Sequence, residues 1–322
     1  MIDLTRSEST GRVLALSRLS PFQILSAEDL SLIAVAGTEK AVSRRTVLVT
    51  AGQQPAALHV PLVGALELTM AGATTENPAR VAALALLGQA PLAADLIAPA
   101  GTVLLVVSQD ALLSLLEERG QLCRKLLRAL ASRLLVSRPM SGPTFRVSRG
   151  SLPRRTDLIY RMLVFRKLLG PGGSGMTAVA RLARVSRELR LEPGMTFTPS
   201  SDQADIVVLT QGSLRFVRPD GTEHLARAGE VVGLAEAVAG VPFATEAAAL
   251  VPATALAVSA PELAEALEDE DLLCLDLIRG FAAELSAVES GPHPLLQQDT
   301  SKDVTCNPPS TSAPARIARH SS

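Results

Sequence analysis

Two stretches of the chain carry short apolar runs broken by Gly, Pro and polar residues. Each then gives way to a segment where Leu recurs every three or four positions. Runs of this length with this punctuation predict strands. In the first stretch they fall at Val47–Val49, Leu58–Val63, Leu66–Met70, Ala83–Leu87 and Val103–Val107. In the second they fall at Thr196–Phe197, Ile206–Leu209, Leu214–Val217 and Thr254–Val258. The Leu spacing over Leu112–Leu116 and Leu122–Leu135, repeated near Leu272–Leu285, puts an apolar stripe on one helix face. A short amphipathic helix is expected to open each stretch, over Pro21–Gly37 and Asp157–Val185.

The two stretches are copies of one another. A shift of 151 residues matches Leu105 with Leu256, Ser108 with Ser259, Leu112 with Leu263 and Glu117 with Glu268. The same shift matches Cys123 with Cys274, Leu126 with Leu277, Arg128 with Arg279 and Leu134 with Leu285. Upstream the shift becomes 148, pairing Leu58 with Ile206, Val60 with Val208, Gly64 with Gly212 and Leu66 with Leu214. Self-similarity of this kind marks a tandem arrangement. Many short antiparallel strands flanked by helices predict an α+β, mainly β fold: two double-stranded β-helix (jelly-roll) domains with helical appendages. The domains are placed at 12–136 and 157–289. A basic linker, 137–156, is rich in Ser, Pro and Gly, and the tail 290–322 is poor in aliphatic residues and expected to be disordered.

Composition adds one asymmetry. The 322 residues carry a net charge of -1, yet Arg119–Arg190 holds 17 Lys and Arg against only Asp157 and Glu188. Seven acidic residues lie in Glu262–Asp276. The basic segment is therefore expected to pack partly against acidic surface of the chain itself, in an arrangement that salt would loosen. No apolar stretch has the length of a membrane span, and the N-terminus lacks an apolar signal core, so a cytoplasmic protein is expected. Cys123, Cys274 and Cys306 form no C-x-x-C pair, and the first two are expected as buried hydrophobes.

Residues 12–136 resemble the cyclic-nucleotide-binding domain of the catabolite activator protein and of the regulatory subunit of cAMP-dependent kinase. The resemblance rests on Leu16–Leu30 (LSRLSPFQILSAEDL), similar to the family's entry helix, and on Arg45–Gly64 (RTVLVTAGQQPAALHVPLVG), similar to its first strands and their closing glycine. The second copy keeps the order, with Gly194, Gly212 and Gly221 at turns. The resemblance implies an eight-stranded roll in each copy and a phosphate-binding cassette. In that cassette a Glu accepts from the ribose hydroxyl, and an Arg neutralises the cyclic phosphate through paired charge-assisted bonds.

Carried onto this chain, the Glu position is Ala83 in the first copy and Leu234 in the second, after Ala82 and Gly233. The Arg position is Leu92 after Pro91, and Phe243 after Pro242. Asp95 and Glu246 stand where the family has Thr, with Thr245 one place early. Both copies have lost the same two charges. The expected function is a non-enzymatic regulatory protein with degenerate cyclic-nucleotide-binding domains, acting in signalling through ligand sensing or contact with an unidentified protein partner.

Two alternatives accompany this reading. One is a working cAMP or cGMP sensor that holds the phosphate through Arg80, Arg215 or Arg227. The other is a relative of transcription regulators lacking the DNA-binding module, since no helix-turn-helix follows the second copy. Specific DNA binding and membrane association are not expected. His59, His224, His293 and His320 stand alone, without the spacing of a metal site, and no nucleophile motif is present, so neither a metal nor a catalytic residue is expected. No cofactor is assigned; a cyclic nucleotide is the one ligand the family resemblance suggests. Residues 1–12 show no paired basic residues of the kind a kinase pseudosubstrate needs.

Overall fold

The computed structural model describes residues 4–70, 73–74, 77–137, 145–146, 157–169, 176–199 and 205–289. The expected tail and most of the expected linker lie outside these residues. The chain enters through α1 (Leu4–Ser17), a 3-10 turn (Phe22–Ile24) and α2 (Ala27–Val35). The stretch 21–37 is thus a turn and a helix, not one helix. Ser26 begins α2 with a capping box: its hydroxyl accepts from the Asp29 amide, and the Asp29 carboxylate accepts from the Ser26 amide.

The first roll contains β1 (Thr38–Val42), β2 (Thr46–Val49), β3 (Ala57–Val63), β4 (Glu67–Met70) and β5 (Ala73–Thr74). Helix α3 (Pro78–Leu87) interrupts it before β6 (Leu96–Ala98) and β7 (Thr102–Ser108). Its two antiparallel sheets have the orders β1-β7-β3 and β2-β6-β4-β5. Helices α4 (Gln109–Glu118) and α5 (Gly120–Ser137) close the repeat.

The expected strand at Ala83–Leu87 is the second half of α3. Two local signals decide it: the Asn77 side chain caps the Arg80 amide at 3.0 Å, and Pro78 sits in the first turn, where its missing N–H costs nothing. Alanine then favours helix over strand. With α3 following Asn77 directly, the first roll has seven strands among the described residues, one fewer than expected.

The second repeat opens with β8 (Phe145–Arg146), α6 (Leu158–Leu169) and α7 (Met176–Val185), two helices where one was expected. Its roll has the full eight strands: β9 (Arg187–Leu191), β10 (Thr196–Phe197), β11 (Ile206–Gln211), β12 (Ser213–Val217), β13 (Glu223–Arg227), β14 (Glu230–Val232), β15 (Glu246–Ala249) and β16 (Ala253–Val258). Helix α8 (Leu234–Ala239) lies between β14 and β15, while α9 (Ala260–Asp269) and α10 (Asp271–Glu289) end the repeat. The sheet orders are β10-β15-β12-β13 and β14-β11-β16-β9, with β8 added at the β14 edge. Apart from the missing sixth strand, the two repeats share one strand order, and β7 and β16 hold equivalent central places.

The repeats exchange their last helices. α5 and α10 pack along one another, α10 also covers α3 of the first repeat, and α5 covers α8 of the second. Gly120 lies against Asp271 and the Cys123 thiol bonds to Cys274, so positions related by the repeat meet each other. Arg133 reaches Glu289 near the other end of the pair, so the helices run parallel. This is the geometry of an internal two-fold pseudo-dimer. One apolar core runs through it, joining Leu126, Leu130 and Leu134 of α5 to Leu277, Phe281 and Leu285 of α10. A second, smaller core fills the interior of the second roll around Phe216 and Phe243.

Candidate functional site

Buried apolar side chains pack together inside the second roll. In the second roll, alternation along β11 sends Ile206 and Val208 toward the helices and Val207 and Leu209 into the roll interior. The interior walls are otherwise small: Ala247, Ala249, Ala255 and Ala257 are all buried. Three aromatic rings take up the room. Phe243, which the sequence resemblance aligns with an arginine, is 7% exposed, with its ring centroid 5.1 Å from that of Phe216. Phe197 meets Phe216 edge-on at 6.4 Å, and the Arg218 guanidinium lies 5.6 Å from the Phe243 centroid, within cation–π reach. His224 approaches Phe243 edge-on at 6.4 Å, and burial, with Arg218 adding to it, depresses its imidazolium form.

Leu234, which the sequence resemblance aligns with a glutamate, does not face this interior. It turns into an apolar pocket formed by Phe165, Leu182, Ile206, Val258, Leu263 and Leu277. Gly233 before it has φ 83°, and a Cβ there would lie 1.9 Å from the Asp205 carbonyl oxygen, so only glycine admits this turn. Pro242 is exposed. Thr245 donates its hydroxyl to the Val217 carbonyl at 3.2 Å, and its amide donates to the same oxygen at 2.8 Å. Glu246 is exposed at the start of β15.

In the first repeat Ala83 is fully buried in α3 and Leu92 is 2% exposed, while Pro91 is exposed. The Leu92 backbone ties the cassette loop to the β2–β3 turn: its amide donates to the Gln53 carbonyl at 3.0 Å and its carbonyl accepts from Gly52 at 2.7 Å. Asp95 accepts from the Ala51 amide at 2.7 Å. The acid at the threonine position therefore fastens a turn here.

Of the three arginines offered as replacements for the cation, two are held by acids. Arg80 pairs with Glu289 at 2.9 Å, fastening α3 to the end of α10. Arg215 pairs with Glu223 at 3.0 Å across β12 and β13. Arg227 and Glu230 close the β13–β14 turn through an amide-to-carboxylate bond of 2.8 Å. Sequence reasoning placed these three near the cups but could not see that acids claim the first two.

The basic and acidic segments do meet. Arg181 of α7 bonds to Asp269 and, at 3.2 Å, to Glu265, both on α9. Arg124 donates to the Leu267 carbonyl at 3.2 Å, and Arg133 meets Glu289 at 3.5 Å. A feature the sequence did not reveal lies at this contact: a groove of about 480 Å³ between α5 of the first repeat and α8 and α9 of the second. Among the described residues no group of three His, Cys, Asp or Glu is placed to hold a metal ion, and no helix is long and apolar enough to cross a membrane.

No family model and no curated protein matches the chain. Solved structures do. The regulatory domain of Toxoplasma gondii PKA, crystallised with cAMP, is 15% identical over 82% of this chain and 94% of its own, with a TM-score of 0.31. The regulatory subunit of a cAMP-independent protein kinase A from Trypanosoma brucei is 16% identical over 81% of this chain and 86% of its own, with a TM-score of 0.31. The sensor domain of the Pseudomonas aeruginosa transcriptional regulator DNR is 16% identical over 38% of this chain and 92% of its own, with a TM-score of 0.33. The two tandem rolls are defined by their own strand orders, independently of these likenesses.

Proposed function

We propose that the chain is a non-enzymatic regulatory protein of the cyclic-nucleotide-binding type, whose cups no longer take a nucleotide and which acts through contact with another protein or by sensing a different ligand. The observation that carries this is Phe243, buried against Phe216 where the family resemblance puts the phosphate-binding arginine. A cyclic phosphate in that space would displace a packed aromatic cluster and put a charge into an apolar interior, which is costly. In the first repeat Leu92 and Ala83 are equally buried, and Arg80 is held by Glu289. The exchange of helices suits a regulatory part, because a contact at either cassette helix bears on the other repeat's last helix. A cytoplasmic setting fits this reading.

Isothermal calorimetry with cAMP and cGMP at micromolar protein tests it, and no binding heat is expected. Heat that disappears in Arg218→Ala would replace this reading with that of a sensor holding the phosphate through Arg218, the guanidinium already over Phe243.

A further inference from the structure

The groove between the repeats has the size of a small-molecule site, about 480 Å³ against the roughly 300–1,000 Å³ usual for such pockets. One wall is the face of α5 bearing Gln121, Arg124, Lys125 and Arg128. The opposite wall is apolar, built from Ala237 and Val238 of α8 and Leu263 and Leu267 of α9, with Glu268 as an acceptor beside them. Two of the cations are held in place: Arg124 donates to the Leu267 carbonyl at 3.2 Å, and Lys125 meets Asp29 at 2.6 Å. Arg128 is exposed and, among the described residues, has no ion-pair partner.

The repeat supplies an internal comparison. Arg124, Lys125 and Arg128 correspond to Leu275, Asp276 and Arg279. On that side Asp276 accepts from Arg279 at 2.8 Å, so the equivalent face carries an internally neutralised pair. Parallel packing of α5 on α10 therefore does not require a cationic cluster. Asp29 matches the charge of Lys125, so Arg124, bonded to the neutral Leu267 carbonyl, and Arg128 are the cations that the groove offers to an anion.

We propose that this groove binds a small organic monoanion with an apolar body, its carboxylate or sulfonate head held by Arg128 with Arg124, and its body against Val238, Leu263 and Leu267. The site goes beyond the proposed loss of nucleotide chemistry in the cups and does not depend on it. Because the walls come from both repeats, an occupant bridges them and stabilises the pseudo-dimer by mass action.

The anionic amphiphile 8-anilinonaphthalene-1-sulfonate, titrated into the full chain by fluorescence, is the test, with octanoate and octanol as competitors. Saturable binding is expected, displaced by octanoate and not by octanol at equal concentration. Arg128→Glu changes an exposed residue and should weaken both ligands at least about tenfold; Arg184→Glu, an exposed control on α7 outside the groove, should leave them unchanged. Ala264→Trp, placed on the groove wall, should block the site while far-ultraviolet circular dichroism stays native. Absence of saturable binding, equal displacement by octanol, or an unchanged affinity in Arg128→Glu would overturn the proposal.

Discussion

Cys123 and Cys274 occupy the same position in the two repeats, and their thiols hydrogen-bond to each other across the α5–α10 pair. Both are free and buried. The bond to Cys123, together with burial, pushes the Cys274 thiol far above its ordinary range. Buried as they are, neither thiol should react in the native state. In a Cys306→Ser background, Ellman's reagent at pH 8 should find no fast-reacting thiol, and two per chain after denaturation in guanidinium chloride. Rapid native labelling would mean that the helix pair opens far more readily than its packing implies.

Gly88 ends α3 at the point where α10 crosses it. A Cβ at Gly88 would lie 2.6 Å from the Ala283 backbone nitrogen and 2.7 Å from its Cα, and a backbone cannot move aside as a side chain can. Gly88→Ala should cost about 1–3 kcal/mol through this overlap, read from the urea midpoint. Gly11 sits in α1 with open space around it. There the same change should stabilise by about 0.5–1 kcal/mol, because alanine is the better helix former. A neutral Gly88→Ala would show that α3 and α10 are not in contact.

The parts of this architecture visible in the sequence are those written in side-chain type and spacing. The repeat, the last helix of each copy and the strands with β-branched residues, such as Leu58–Val63 and Ile206–Leu209, all stand out in this way. The strands that escaped are edge segments, alanine-rich segments or, like β6 (LIA) and β14 (EVV), only three residues long. β1 (TEKAV) is polar and mostly exposed, and β15 (EAAA) has helix-forming composition held extended by its ladder to β12. Loss of charge at Leu92 and Phe243 was equally visible in sequence. That Leu234 faces the helices, that Glu289 draws in Arg80 and Arg133, and that the last helices cross between repeats are long-range facts without a local pattern.

Burial, with the charge of Lys40 adding to it, lowers the His59 imidazole to about 4, against a weaker opposing hydrogen bond at Ala57. A histidine depressed in the folded state binds its proton more readily when unfolded, so stability is complete above about pH 6.5 and is lost as pH falls toward 4. Between pH 7 and pH 4.5 the loss from this group should be roughly 2–3 kcal/mol. Carboxylates titrate over the same range, so the measurement is a difference. His59→Asn should have a shallower fall in urea stability than the unaltered chain, and parallel curves would remove His59 as the cause.

Charge alone predicts that salt separates the two repeats, but the contact between them is chiefly apolar. Leu126, Leu130 and Leu134 against Leu277, Phe281 and Leu285 are all buried, whereas Arg181 meets carboxylates that are largely exposed and therefore screened. The radius of gyration from small-angle scattering should stay constant from 50 mM to 1 M NaCl. The more sensitive point is Glu289, 9% exposed and shared by Arg80 and Arg133. Glu289→Gln should cost about 1–3 kcal/mol, because two guanidinium groups lose their common carboxylate. An expansion at high salt would restore the electrostatic account.

Writing the family's two lost charges back into the second cup, as Leu234→Glu with Phe243→Arg, is the direct check on whether nucleotide chemistry is merely missing two side chains. From the sequence, partial cyclic-nucleotide affinity is expected of such a variant if the cup backbone is intact. The structure reverses that expectation. A glutamate at 234 would enter the apolar pocket of Phe165, Leu182, Ile206 and Leu277, away from the roll interior, and would be buried without a partner. An arginine at 243 would abandon the Phe216 contact and come beside Arg218, already 5.6 Å from the ring it replaces. Loss of a buried phenylalanine alone costs about 3–5 kcal/mol. The double variant should therefore be destabilised by at least that much in urea unfolding and should give no heat with cAMP. Phe243→Leu, which keeps the interior apolar, should be clearly less destabilised than the double variant. A stably folded double variant that binds cAMP would show that the cup can empty and rebuild.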